Sequence, residues 1–510
     1  YLLYLMQGMS GYQARFYAKH PKNTLHLANT DMYDLHHSSQ ISLTDFNNSL
    51  GVKLDQKNEW VVVAKKIPWD ELELEYAALF KSKEGNVALS FRMMFGASII
   101  KVRTGLGDKK LVQAISENPY YQYFIGLPGY TTKQPFTSPS LTNFRKRCSF
   151  DIVNRINDLL VGILEKLPEH EPAAAGKPKK KDGPAGPELT LILDATCSPE
   201  DIRFPQDESL LNEAREKLEK MIDRLFFLSG DAVKARTYRE LARKEHLRFA
   251  KSKKRTEEKT RAAVGKQLRY VLRDIGHVEK YVARGFELDD REKETFEVIE
   301  RLYEQQKKMY DEHSHRVENR IVSISQPHIR PIVRGKAKAP VEFGPKYDIS
   351  VDENGFARME KISFDAYNES SVLQGAVQRY IERTGKAPVR VLVDQIYRTA
   401  DNIRFCKEKG IRMSGPKMGR PPREADPNAL ATARRDNTDR IEVERKFSLG
   451  KRSYCLSLIR MRLPETEKFA VAMGILVSNL FTTGLARLFL YLLENGTLRP
   501  KYIMDGFVLE

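Results

Sequence analysis

Two apolar runs in the sequence each finish on an aspartate: LTLILD at 189–194 and VRVLVD at 389–394. Read as buried strands, they would deliver Asp194 and Asp394 at the C-terminal edge of a sheet, where crevices form in α/β folds. Joined by a third carboxylate, such a pair makes the oxygen-rich set that a hard divalent cation takes, with waters and substrate phosphates completing its shell. Residues 437–454, NTDRIEVERKFSLGKRSY, read as a helix and can supply that third group. At about 100° per residue, Arg440, Glu444 and Lys451 fall within roughly 40° of one another, and Asn437 widens the arc to roughly 60°. Glu442 falls on nearly the opposite face. The first face sets a carboxylate between two cations: the carboxylate suits a metal, and the cations suit phosphate. Arg440 and Glu444 also fit a plain i, i+4 ion pair on a solvated helix.

The elements that must hold these groups are read from composition and periodicity. The chain has 510 residues, which at about 150 per domain suggests about three domains. Lys and Arg number 85 against 68 Asp and Glu, a net charge of +17, and 41 % of residues are apolar. Real cores are available, so a fully disordered chain is excluded. The positive excess favours a polyanionic partner, most often nucleic acid.

From about 87 the pattern is helical, with breaks at 104–108 and 128–135 and Asp108 as a helix cap. Ser138-Pro139 opens a helix carrying Leu141, Phe144, Cys148, Ile152, Ile156, Leu159, Ile163 and Leu167 on one side. Arg145, Lys146, Arg147 and Arg155 lie off that stripe. Residues 1–167 therefore read as a helical domain, either a helix-turn-helix-like DNA reader or a bundle for packing and dimerisation. Residues 168–188, rich in Pro, Ala, Gly and Lys, read as a flexible linker.

Residues 189–208 and 321–500 read as an α/β domain. Strands are expected around IVSIS, HIRPIVRGK and KYDISVDENGFARMEKISF, with a hairpin at Asn354-Gly355. A helix at about 370–384 should stop at Gly385, and a shorter one capped near Thr399 should stop at Gly410. Between these two segments, 209–320 reads as a charged helical insertion. Its stretch 231–270 holds 14 basic and 5 acidic residues, fit for a solvated hairpin or a clamp on DNA. In SGPKMGRPPR (414–423), a Gly-Arg-Pro core beside Lys417 can extend Arg420 into a narrow minor groove, or simply stiffen a loop.

The four cysteines lie far apart and read as reduced core thiols of a cytosolic protein. The histidines form no metal pattern. No signal peptide is visible. The apolar stretch 469–494 is interrupted by Asn479, Gly484 and Arg487, so a buried helix or helix pair is expected rather than a membrane span.

These residues carry a resemblance. The sequence is similar to bacterial insertion-sequence transposases of the DDE class, in the branch whose final Glu lies in a Tyr-Arg-Glu-Lys signature. Arg440, Glu444 and Lys451 keep that spacing, while Asn437 stands where the family prefers Tyr. LILDATCSPEDIRFPQD resembles the family's first-Asp segment, DQIYRTADNIRFCKEKGI its second, and ENPYYQYFIGLPGY (117–130) its N-terminal domain. The resemblance implies an α/β fold: an RNase H-like mixed sheet flanked by helices, with a largely helical N-terminal domain and a helical insertion after the first strand. It implies that Asp194, Asp394 and Glu444 bind two Mg2+ (or Mn2+) ions for cleavage and strand transfer on double-stranded DNA. Arg440 and Lys451 would position the strand. By the same analogy the protein acts as a homodimer or higher oligomer on DNA, in the bacterial cytoplasm. An inactive DNA-binding relic would lack an acidic ligand, and a nuclease without strand transfer would lack the Arg-Glu-Lys signature.

Overall fold

The computed structural model describes residues 42–47, 51, 53–80, 87–165, 188–333, 341–415 and 427–484. Its centre is a five-stranded sheet. Strand β1 (Thr190–Cys197) lies in the middle. On one side it pairs antiparallel with β4 (Lys346–Asp352), which pairs antiparallel with β5 (Ala357–Ser363). On the other it pairs parallel with β6 (Arg390–Leu392), followed by β7 (Arg412–Met413), again parallel. A separate two-stranded ribbon joins β2 (Pro331–Val333) to β3 (Val341–Phe343).

The fold is thus α/β with a mixed sheet. The β4–β5 hairpin turns at Asn354-Gly355 as expected: Gly355 takes a φ of 77°, and the Asp352 carboxylate accepts the N–H groups of Asn354 and Phe356. No strand forms at 321–325. Ile321 and Ile324 bury in the insertion, whereas Val322 packs with Ile329 and Phe364, so the alternation there serves two separate clusters instead of one sheet face.

Period-2 alternation gives each sheet face its own cover. Leu191, Leu193, Val391 and Val393 face helices α12 (Leu373–Thr384) and α13 (Ala400–Glu408). Gly385, at φ 72°, stops the first, and Thr399 caps the second by accepting the Asn402 N–H. Ile192, Ile349, Val351 and Leu392 face the other way, against α14 (Pro427–Ser453) and α15 (Pro464–Ser478). Among the described residues, no helix is long and apolar enough to cross a membrane.

The N-terminal helices share that second core. They are α1 (Glu59–Ala64), α2 (Trp69–Ala77), α3 (Phe91–Thr104), α4 (Asp108–Glu117), α5 (Pro119–Phe124), α6 (Ser138–Arg147) and α7 (Phe150–Glu165). One continuous apolar cluster runs from Trp60 and Phe95 through Phe144 and Ile156 to Val471 on α15 and Ile349 on the sheet. The composition break, expected to separate one domain from the next, therefore does not divide the core; most of the break itself lies outside the described residues. The long helix expected from Ser138 is also two helices. It breaks at Cys148, whose ψ of 86° is not helical.

Between β1 and β2 come α8 (Asp207–Ser229), α9 (Arg239–Ala250), α10 (Glu257–Ala283) and α11 (Asp290–Asp311). Leu211, Ala214, Leu218, Ile222 and Leu225 form the buried stripe of α8, as the periodicity requires. With Val271, Val278, Ile299 and Leu302 they make a hydrophobic cluster distinct from that of the sheet.

Candidate active site

Strand pairing decides where the two aspartates go. The parallel register sets Ile192 beside Leu392, so Asp194 and Asp394 each stand two residues beyond the last pair. Continued, that register would put them side by side on the face that α14 covers. Asp194 does not end its strand, as the sequence suggested. Its strand runs on to Cys197, because the antiparallel neighbour β4 still offers Ile349, Asp348, Tyr347 and Lys346 as partners. Only the parallel pairing stops, and Asp194 lies at that opening.

Asp394 is exposed and opens a 3-10 turn, Gln395–Tyr397, by accepting the Gln395 N–H at 2.7 Å. Asp194 is half-buried and accepts the Ala195 N–H at 2.8 Å. Burial pushes its carboxyl up to about 6; the Ala195 N–H and Arg440 oppose this, and the charges of Glu369 and Asp394 add to it. The negative charges of Glu369 and Asp394 are thus near enough to be felt at Asp194.

Helix α14 closes the site. It docks through Val443 and Phe447 on the sheet face and presents the exposed Glu444. Arg440 Nη1 lies 3.9 Å from Asp194 Oδ2 and Nη2 lies 3.3 Å from Glu444 Oε1. One guanidinium therefore spans two of the expected carboxylates. The i, i+4 pair is real, and it also belongs to the site. Glu442 points elsewhere and accepts from Arg445 at 3.3 Å. Asn437 is exposed one turn before Arg440, and Lys451 is half-buried near the end of the same helix.

Three carboxylates match a hard divalent cation in donor type. Among the described residues, however, no three His, Cys, Asp or Glu side chains are gathered closely enough to hold a metal ion.

Several residues that shape the site were not singled out from the sequence. Asp348 is fully buried on β4, opposite Ala195. It accepts hydrogen bonds from Tyr367 and, at 2.5 Å, from Tyr397, the last residue of the turn that Asp394 opens. Lys346 pairs with Glu369 at 2.7 Å at the same end of the sheet. Asp436 is buried on α14 between Arg412 of β7, at 2.5 and 2.9 Å, and Arg390 of β6, at 3.3 Å. The only signal for Asp348 and Asp436 was a carboxylate at a buried position of its element.

Other expected DNA contacts fare differently. Arg145 is buried and forks onto Asp108 at 2.8 and 2.7 Å, so it faces inward. Asp108 is engaged by Arg145 and Lys101 and caps nothing; Gly107 is the cap residue of α4. Arg147 is half-buried, donates to the Tyr76 hydroxyl and lies 4.4 Å from the Phe80 ring centroid. The stripe itself is buried at Leu141, Phe144 and Cys148, and the two arginines turn inward because Asp108 and Tyr76 pack beside it. Lys417 and Arg420 lie outside the described residues. In the basic insertion, Lys234, Arg239 and Lys266 are held by Asp223, Glu219 and Glu245. Cys148, Cys197 and Cys406 are buried thiols, but Cys455 is exposed after the end of α14.

A transposase DDE domain model matches residues 391–481, and a transposase domain model matches residues 48–147. The first segment contains Asp394, Arg440, Glu444 and Lys451; the second contains the run at 117–130. Asp194 lies in neither. An uncharacterized protein, ORF8 in the nfe locus of Rhizobium meliloti, is 26 % identical over 175 residues, which is 34 % of this chain and 77 % of that protein. No solved structure matches the chain. Matches to two transposase domains on one chain support an insertion-sequence DDE transposase.

Proposed function

We propose that the protein binds the ends of its element as duplex DNA, hydrolyses a phosphodiester there and joins the freed 3′-OH to target DNA. The observation that carries this is Arg440, which touches both Asp194 and Glu444 although they are far apart in sequence. The sheet order, antiparallel on one side of β1 and parallel on the other, supports an RNase H-like core. In this reading residues 1–167 form the DNA-binding and dimerisation domain, 209–320 an insertion and the rest the catalytic domain.

Asp194, Asp394 and Glu444 would hold two Mg2+ or Mn2+ ions, whose chemistry is to activate a water and to stabilise the leaving 3′ oxygen. Water attacks phosphorus, the P–O3′ bond breaks, and a 3′-OH and a 5′-phosphate remain. That 3′-OH then attacks a target phosphodiester, releasing a target 3′-OH, so the number of phosphodiesters is conserved in the joining step. No enzyme nucleophile is required. The phosphodiester carries its own charge, so Arg440 and Lys451 orient the strand and leave activation to the carboxylate site. Arg440 must yield its place between Asp194 and Glu444 when substrate enters, and a DNA phosphate is the natural new partner for its guanidinium. The protein works on paired ends, as a dimer or larger assembly in the cytoplasm.

The test is cleavage of duplexes taken from the flanks of the gene, with Mg2+, by the full chain. Asp394→Asn and Glu444→Gln should each abolish cutting while leaving binding nearly intact, and Glu442→Gln should cut like the parent. Retained cutting by Asp394→Asn refutes the site.

A further inference from the structure

A groove of about 1040 Å3 opens between the N-terminal helices and residues 455–470. Its rim carries Lys109 and Lys110, at the start of α4, and Arg460 and Arg462 on the opposite wall. All four are exposed, and among the described residues none of them pairs with a carboxylate. The acid in the groove, Asp108, is already engaged by the two inner cations, Lys101 and Arg145. Burial works against its ionisation, yet the bonds from Arg145 and Lys101 hold its carboxyl down at about 2. The one acid of the groove is therefore already shared by two cations, and the outer four form a positive rim that it does not oppose.

The groove is tied to the catalytic elements at both ends. Cys455, which lines it, follows directly on α14, the helix that bears Glu444 and Lys451. The wall that carries Arg460 runs beside the chain leaving β1: Asp201 donates to the Ile459 carbonyl at 2.9 Å, and Ile459 donates to the Pro199 carbonyl at 2.8 Å. From Glu444 to the end of α14 the helix rises about 14 Å at 1.5 Å per residue. At about 3.4 Å per base pair, that is roughly four steps of duplex.

We infer that this groove seats the phosphate backbone of duplex DNA roughly four base pairs from the bond that is cut. The inference rests on the transposase reading and names the surface that reading requires. Each phosphate contact made by a lysine or arginine without an acid partner releases a bound counterion, so the number of contacts is readable from salt dependence.

The experiment uses the full chain, a mixed-sequence duplex of about 40 base pairs and a chelator, with binding measured from about 50 to 200 mM KCl. Lys109→Gln/Lys110→Gln and Arg460→Gln/Arg462→Gln should each flatten the slope of log K against log salt by about 2, at about 0.9 per lost contact. Lys253→Gln/Lys254→Gln, which removes two exposed insertion charges, should leave it nearly unchanged. Unchanged slopes in the groove variants, or an equal loss in the insertion variant, overturn the assignment. A parent that binds duplex through the groove but cuts no element end refutes the catalytic reading and leaves the groove standing. Unaltered circular dichroism confirms that the glutamine variants are folded.

Discussion

Asp348 braces the turn that carries one of the candidate carboxylates, Asp394. Asp348 is buried, its carboxyl is pushed up to about 6 by that burial, and its bonds from Tyr367 and Tyr397 oppose the rise. Tyr397 closes the turn that begins at Asp394, and Asn402 donates to the Tyr397 carbonyl at 2.9 Å from the other side. The turn is therefore clamped at its tail while Asp394 holds its head. Tyr397→Phe removes one donor from a buried carboxylate, which should cost about 1.5–3 kcal/mol of stability in urea unfolding. Cutting should fall further than that loss explains, because Asp394 loses its fixed place, while duplex affinity stays near the parent's. A Tyr397→Phe protein that unfolds earlier but cuts at the parental rate shows that the tyrosine serves stability alone.

At the scale of elements, the decisive contact is between α14 and the parallel half of the sheet. Val443 and Phe447 supply the apolar contact, and Asp436 supplies direction by meeting Arg390 and Arg412 from two adjacent strands. Asp439 adds a bond to Arg390 at 2.7 Å. Two carboxylates one turn apart thus fix the rotation of the helix, and with it which of Glu442 and Glu444 faces Asp194. Burial would raise the Asp436 carboxyl, but Arg412 and Arg390 hold it below its ordinary value. Its contribution is therefore present above the ordinary aspartate pKa and lost as pH falls below it. Asp436→Ala should cost about 2–3 kcal/mol, somewhat less than a fully severed buried pair because Arg390 keeps Asp439. Hydrogen exchange should speed up along α14 before it does along β4. Equal protection of α14 in the parent and the variant contradicts this account.

At the scale of the whole molecule, α15 is the common wall of the sheet and the N-terminal helices. It carries one ionisable group into that wall: Glu467 is fully buried, with His328 Nε2 at 3.0 Å and Gln326 donating at 3.3 Å. Glu200, just past the end of β1, is buried nearby. Burial and the charge of Glu467 push the Glu200 carboxyl up to about 10. A raised carboxyl favours the fold fully only below its unfolded pKa, and that stability is lost as pH climbs toward the folded value. The window runs from about pH 4.5 to about pH 10. Glu200→Gln should therefore stabilise the protein near pH 8 by up to about 5 kcal/mol, at about 1.4 kcal/mol per pH unit above the ordinary carboxyl value, and leave it nearly unchanged near pH 4. Thermal melts at the two pH values decide it, and equal shifts at both remove the proton from the explanation.

Much of this was legible in the chain itself. Continuous apolar runs located β1 and β6, helical spacing located the stripe of α8 and set Glu442 and Glu444 on different faces, and Thr399, Asn354-Gly355 and Gly385 marked their own cap, turn and stop. Such signals are local: they depend on side chains a few residues apart, whose geometry any regular element imposes. The tertiary structure decided everything that joins distant segments. It set Asp194 beyond the last parallel pair while its strand continued, turned Arg145 inward onto Asp108, and brought Asp348 to Tyr397 and Asp436 to Arg390 and Arg412. It also merged the N-terminal helices with the sheet into one core and left four cations unopposed around a groove. Those outcomes depend on which surfaces meet, and burial decides them: a charge that packs inside must find a partner there, and one left at a rim stays available for DNA.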